Sequence, residues 1–298
     1  MKKKIMNKLT KTYKKYYKLL LIIPLLLILF SGFMITQTIN KKGVPIYRDI
    51  SLKGGESVFV TINTGMTLEK LTNTLEINYK DNTFSISELS NNGKQTGFVI
   101  DTDLEDKILK NKLNELFETS FIDGQNYNAN IISSSLSLVF FSQAIKILIF
   151  SFILMSIAIF IYFKEFVPSC AVVLSGLFDL IVTIGILDFF KIKMSIAGIG
   201  ALLMLIGYSI DTDILLTNRL IKEKGTNYFE KVFDAFKTGL VMSITTLLAG
   251  SIALYFTNSS VIYQISLIIV IGLLVDMIST WVQNSSLLLW WLENKNIK

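Results

Sequence analysis

Residues 195–219 read SIAGIGALLMLIGYSIDTDILLTNR. At a rise of about 1.5 Å per residue, the apolar part is long enough to cross a hydrocarbon core of about 30 Å as one helix. Yet Asp211 and Asp213 lie inside it. Carboxyls at such depth are costly, face the protein interior, and mark ion paths. This stretch therefore reads as one span of a helical membrane bundle, and the rest of the chain is read outward from it.

Five further apolar runs lie on either side: 19–39, 141–163, 166–189, 239–257 and 262–288. The chain has 298 residues, 51% of them hydrophobic, and a net charge of +6. The reading is a six-helix polytopic membrane protein with a basic tail at 1–18 and a first span at 19–39. A polar domain follows at 40–140. A five-helix bundle at 141–288 has a loop at 218–238, and a short tail runs from 289 to 298. Lys2, Lys3, Lys4, Lys8, Lys11, Lys14, Lys15 and Lys18 precede the first span, and Arg219, Lys222, Lys224, Lys231 and Lys237 lie in the loop. This asymmetry places both termini in the cytoplasm of a multi-pass cell-membrane protein and leaves residues 40–140 extracytoplasmic. The lysine tail suits anionic lipid headgroups of the bilayer, with no nucleic acid required.

Within 40–140, residues 44–50, 56–63, 83–89 and 96–101 read as strands, with a turn at Asn91–Gly93. Thr67 is the expected cap of one helix and Asp103 of a second, whose apolar stripe is Leu104, Ile108, Leu113, Leu116 and Phe117. The order β-β-α-β-β-α predicts a small α+β domain, two helix-bearing halves forming a ferredoxin-like sheet. Gly54 and Gly55 predict a tight turn or a close backbone approach.

The chain has no histidine and one cysteine, Cys170. That excludes histidine-based catalysis and relays, cysteine metal clusters and internal disulfides. No nucleotide loop is visible, and no metal, cofactor or catalytic residue is assigned. Among the acids inside the spans, Asp179, Asp211, Asp213 and Asp276 interrupt apolar sequence. By rise per residue, Asp211 and Asp276 share a layer roughly 20–25 Å from the outer face, with Asp179 nearer that face. Asp211 and Asp213 are about 200° apart, so only one faces a given partner; Asp211 is expected to point inward. Gly198, Gly200, Ala201 and Gly207 offer small surfaces for close packing. Trp281, Trp290 and Trp291 read as interfacial anchors, and Asn284 as a bond across helices. Residues 228–236 read as an interfacial amphipathic helix.

Residues 206–217 followed by Arg219, together with Ile50–Gly55 and Gly272–Asp276 with Thr280, Trp281 and Asn284, resemble the SecD/SecF protein-export family, SecF type in its archaeal form. The resemblance covers essentially the whole chain. It implies an architecture like the RND transporters and a non-enzymatic subunit pairing with SecD at the SecYEG channel. It also implies promotion of polypeptide export and membrane insertion through an ion gradient such as the proton motive force. An RND-like exporter of lipid or small molecules is the alternative. An intramembrane aspartyl protease is a remote one, suggested by Gly207–Asp211 but lacking that class's glycine spacing.

Overall fold

The computed structural model describes residues 13, 16–62, 66–79, 82–91, 94–222, 227–257 and 259–295. Most of the lysine tail, Asn92 and Gly93 of the expected turn, Lys224 and the last three residues lie outside them. Six helices are long and apolar enough to cross a membrane. They are α1 (Ile22–Lys42), preceded by a helical segment from Tyr16, α5 (Ser134–Phe163), α6 (Phe166–Phe189), α7 (Ile196–Ile221), α8 (Tyr228–Phe256) and α9 (Ser260–Ile278). The sixth span continues from α9 through a π-helical segment, Ser279–Asn284, into α10 (Ser285–Lys295).

Residues 228–236 are not a separate interfacial helix. They open α8 without a break, because nothing in the run from Tyr228 to Phe256 stops the helix. The buried spans are α6 and α7, whereas α1, α5 and α8 turn mostly outward. Tyr13 Oη and Ser285 Oγ bond at 2.8 Å, Tyr17 donates to Glu293, and Lys295 pairs with Glu165 at 3.1 Å. Both ends of the described chain and the α5–α6 turn thus meet at one end of the bundle. The polar domain stands at the other.

That domain holds α2 (Ile50–Lys53), β1 (Gly55–Thr61), α3 (Leu68–Asn78), β2 (Phe84–Asn91), β3 (Lys94–Thr102), α4 (Asp106–Phe117) and β4 (Tyr127–Ile132). The antiparallel sheet has the order β2-β3-β1-β4. This is the ferredoxin-like βαββαβ arrangement. Alternation along the strands sends Val58, Val60, Phe98 and Ile100 to the helix-covered face. There they pack on Leu71 and Leu75 of α3 and on Leu109 and Leu113 of α4. In register on the other face stand Ser57, Asp101 and Ser85.

Three sequence expectations are corrected. Residues 44–50 form no strand of this sheet: Met194 N–H donates to Tyr47 C=O at 2.7 Å and Asp49 N–H to Met194 C=O at 2.9 Å, tying them to the α6–α7 loop. The fourth strand is β4 instead, hidden by its polar sequence YNANII. Asp103 does not cap α4, which starts at Asp106; Asp103 binds Thr83 N–H at 2.7 Å and the Lys53 ammonium at 2.6 Å. Burial works against its charge, but the Lys53 and Thr83 donors outweigh that and hold its carboxyl below the usual range. The α4 stripe also shifts by one: Leu109 is buried and Ile108 is 43% exposed. Thr67 does cap α3, accepting from Lys70 N–H at 3.4 Å.

Gly54 joins domain to bundle. Its φ of 88° and ψ of 162° lie in a region that only glycine occupies readily. A side chain there would run into the backbone of Ser134, the first residue of α5. Gly55, at φ 150°, leaves no room for a side chain beside the Thr102 carbonyl. The expected close approach is therefore present at both glycines.

Candidate ion-coupling site

Asp213 of α7 and Asp276 of α9 have no exposed surface, and Asp179 of α6 has 1%. Each carboxyl is held by neutral donors from neighbouring helices. Asn284 Nδ2 donates to Asp213 Oδ1 at 2.7 Å, and Ser175 Oγ donates to the same oxygen at 3.2 Å. Ser209 Oγ donates to Asp179 Oδ2 at 2.5 Å. Thr280 Oγ1 lies 3.1 Å from Asp276 Oδ1, and Thr212 Oγ1 lies 3.2 and 3.3 Å from its two oxygens. Ser209, Thr212 and Asp213 sit on adjoining turns of α7, so one helix links all three acids. Asp179 meets that helix one turn nearer the domain than Asp213, matching its expected depth.

Among the described residues, no lysine or arginine pairs with any of the three acids. Asp213 Oδ2, Asp179 Oδ1 and Asn284 Oδ1 are buried and receive no hydrogen bond. Three buried acceptors thus have no protein donor among the described residues. A carboxyl that takes a proton becomes a donor as well as an acceptor.

The orientation of α7 reverses the sequence expectation. Asp211 is exposed and Asp213 is buried, so Asp213 is the inward acid that shares the layer of Asp276. Counting depth along the helix could not settle this, because both residues lie within one turn. Rotation about the axis is set by packing: Leu202, Leu205, Ile206 and Ser209 face the core and carry Thr212 and Asp213 with them. Gly198 and Ala201 are packed as expected, while Gly200 and Gly207 border open space. Arg219, near the end of α7, donates to Thr238 Oγ1 of α8 at 3.3 Å, away from the acids.

The π-helical turn was not foreseen. It follows Asp276 directly and brings Thr280 and Asn284, four residues apart, onto Asp276 and Asp213. Such turns are rare and cluster at functional sites. Trp281 within it is no interfacial anchor: it is 7% exposed, stacked edge-on with Phe236 at 5.2 Å, and lies where Gly239 leaves room for its ring. Asn284 does bond across helices, as its sequence position suggested.

A family model described as "Protein export membrane protein SecD/SecF, C-terminal" matches residues 112–294. The chain is 33% identical to the protein-export membrane protein SecF of Methanocaldococcus jannaschii, over 95% of this chain and 99% of that one. It is 34% identical to the SecF of Methanolacinia petrolearia, over 97% and 99%. Among solved structures, SecDF of Thermus thermophilus aligns with a TM-score of 0.68 at 20% identity. That alignment covers 93% of this chain but only 38% of the SecDF chain. SecDF in its super-membrane-facing form aligns at 0.59 and 19% identity. At these identities the structures speak to the fold alone, over 93% and 95% of this chain. With six spans, one ferredoxin-like domain and close relatives along its full length, the chain belongs to the SecD/SecF family of protein-export membrane proteins, a family of transport proteins and not of enzymes.

Proposed function

We propose that the chain is a SecF-type subunit that pairs with SecD at the SecYEG channel. It promotes export and membrane insertion of polypeptides by moving a proton or another ion through Asp213, Asp276 and Asp179. The observation that carries the coupling is the trio of buried carboxyls with neutral donors, unmatched acceptors and no paired lysine or arginine among the described residues. The export role rests on the family.

Residues 200, 204, 207 and 211 recur at helical spacing on the outward side of α7. Met204 is 59% exposed, and open space borders Gly200 and Gly207. An exposed Asp211 at this depth is costly against lipid, and small residues admit a close helix. A SecD helix covering this stripe satisfies both. Purified from membranes holding both subunits, the wild-type chain is expected to retain SecD, and Gly207→Phe to lose most of it while remaining folded. Undiminished SecD with Gly207→Phe places the partner elsewhere. Recovery of bound lipid and no SecD favours a lipid exporter.

The basic residues Arg219, Lys222, Lys231 and Lys237 lie at the bundle end opposite the domain. By the positive-inside rule that end is cytoplasmic and the domain extracytoplasmic. In a Cys170→Ser background, Glu118→Cys is expected to react with an impermeant maleimide added outside the cell. Reaction only after the cytoplasmic face is opened reverses the orientation.

A further inference from the structure

The α+β domain overhangs the near ends of α6–α9 and leaves a cleft of about 830 Å³. That volume falls within the range of ligand sites. One wall is the edge strand β2 from Phe84 to Glu88; the other includes Lys193, Ser259 and Gln264. Two hydrogen bonds define which backbone groups of β2 face the cleft. Lys193 Nζ donates to Phe84 C=O at 2.8 Å from outside the sheet. Ile62 N–H donates to Thr96 C=O at 2.9 Å, so Thr96, Phe98, Ile100 and Thr102 turn their backbone groups towards β1. Phe84, Ile86 and Glu88 stand opposite Thr102, Ile100 and Phe98. Their N–H and C=O groups therefore turn outward.

Lys193 occupies only the first of these positions. Ile86 and Glu88 present an N–H and a C=O each, about 6.8 Å apart, to a walled space. Exposed edges of this kind are usually blunted or covered. The ligand that matches paired donors and acceptors at a two-residue repeat is another extended polypeptide. Lipid headgroups and small solutes do not repeat at that spacing. Recognition through the main chain is also indifferent to side-chain sequence.

We propose that this cleft binds an extended polypeptide segment as an added strand beside Ile86 and Glu88. It rests on the export reading only for the source of that segment, a chain in transit. Serine side chains on the open sheet face, Ser57 and Ser85 among them, line the cleft together with apolar side chains such as Leu68, Ile196 and Tyr263. Main-chain pairing at only two residues keeps binding weak and reversible, as a passing chain requires.

Proline is tolerated on an edge strand where the N–H faces out. Glu88→Pro thus removes one cleft-facing donor and leaves the β2–β3 ladder intact, while Glu88→Ala keeps the donor. The test uses the full chain in lipid nanodiscs with a fluorescent, permanently unfolded, cysteine-alkylated polypeptide as probe. A photoreactive residue at Ser87 is expected to crosslink to the probe. Glu88→Pro is expected to bind it roughly three- to tenfold more weakly than wild type, and Glu88→Ala as wild type. Equal binding by the two variants overturns the strand pairing. The crosslink needs no proline, so it stands even if Glu88→Pro fails to fold; a crosslink to lipid, to a SecD strand or to nothing overturns the site. Lost export with intact probe binding faults the export reading alone, and intact export with no crosslink faults the cleft alone.

Discussion

Asp213→Asn is expected to abolish gradient-dependent stimulation of export while leaving the subunit folded and paired with SecD. The amide has nearly the carboxyl's shape, and its oxygen still accepts from Asn284 and Ser175, the two donors on Asp213 Oδ1. What it loses is the exchange between a charged and a neutral form. In a site without a counter-cation, that exchange is the event large enough to bias two helix packings. Thr212, next to Asp213 in the chain, and Thr280 of the π-helical turn both contact the Asp276 carboxyl. Asp211→Asn, on the exposed side of α7, is expected to retain stimulation. The measurement is export into inverted vesicles with and without an imposed proton or sodium gradient, using purified assembled complexes. Wild-type stimulation by Asp213→Asn would falsify its role as carrier. The same result for Asp276→Asn and Asp179→Asn removes carboxylate coupling from this subunit.

Gly54→Val is expected to cost about 2–6 kcal/mol and to uncouple the domain from the bundle. A β-branched residue at φ 88° is strained by roughly 1–3 kcal/mol, and forcing its side chain against Ser134 adds about 1–3 kcal/mol. Little slack is available, because α2 ends at Lys53 and β1 begins at Gly55, with Gly54 alone between them. Gly124→Val is the control: its φ is 78°, but open space surrounds it. Thermal unfolding in detergent should rank wild type above Gly124→Val and Gly124→Val well above Gly54→Val. A Gly54→Val protein as stable as the Gly124→Val control would show that Ser134 yields easily and that the junction is soft.

Apolar length and charge placement were sufficient to read six spans and an intervening polar domain from the sequence, because a helix must satisfy its own backbone within lipid. Helices α3 and α4 of the domain and three of its four strands were legible for a similar reason: apolar periodicity there follows local geometry. Two elements escaped that logic. The residues around Tyr47 have strand character but find their partner at Met194, far along the chain. In β4, Tyr127 and Ala129 supply inward contacts amid asparagines, and the strand exists because β1 offers its edge.

The acids themselves were visible, since carboxyls such as Asp179, Asp213 and Asp276 stand out in apolar helices. Which of them meet was not. Rise per residue fixed their depth to within a turn, but the rotation of α7 depends on how Leu202, Leu205 and Ile206 pack against neighbouring helices. That packing turned Asp213 inward and Asp211 outward. The π-helical turn is equally a tertiary outcome. Nothing in STWVQN announces an altered helical pitch. The turn accompanies the contacts of Thr280 and Asn284 with two carboxyls, and the close fit of Trp281 against Gly239. Sequence alone determined how many helices cross, where the charges lie along them and which stretch forms the domain; the rotation of each helix about its own axis, and so the membership of the buried site, was decided only by the side chains that pack between helices.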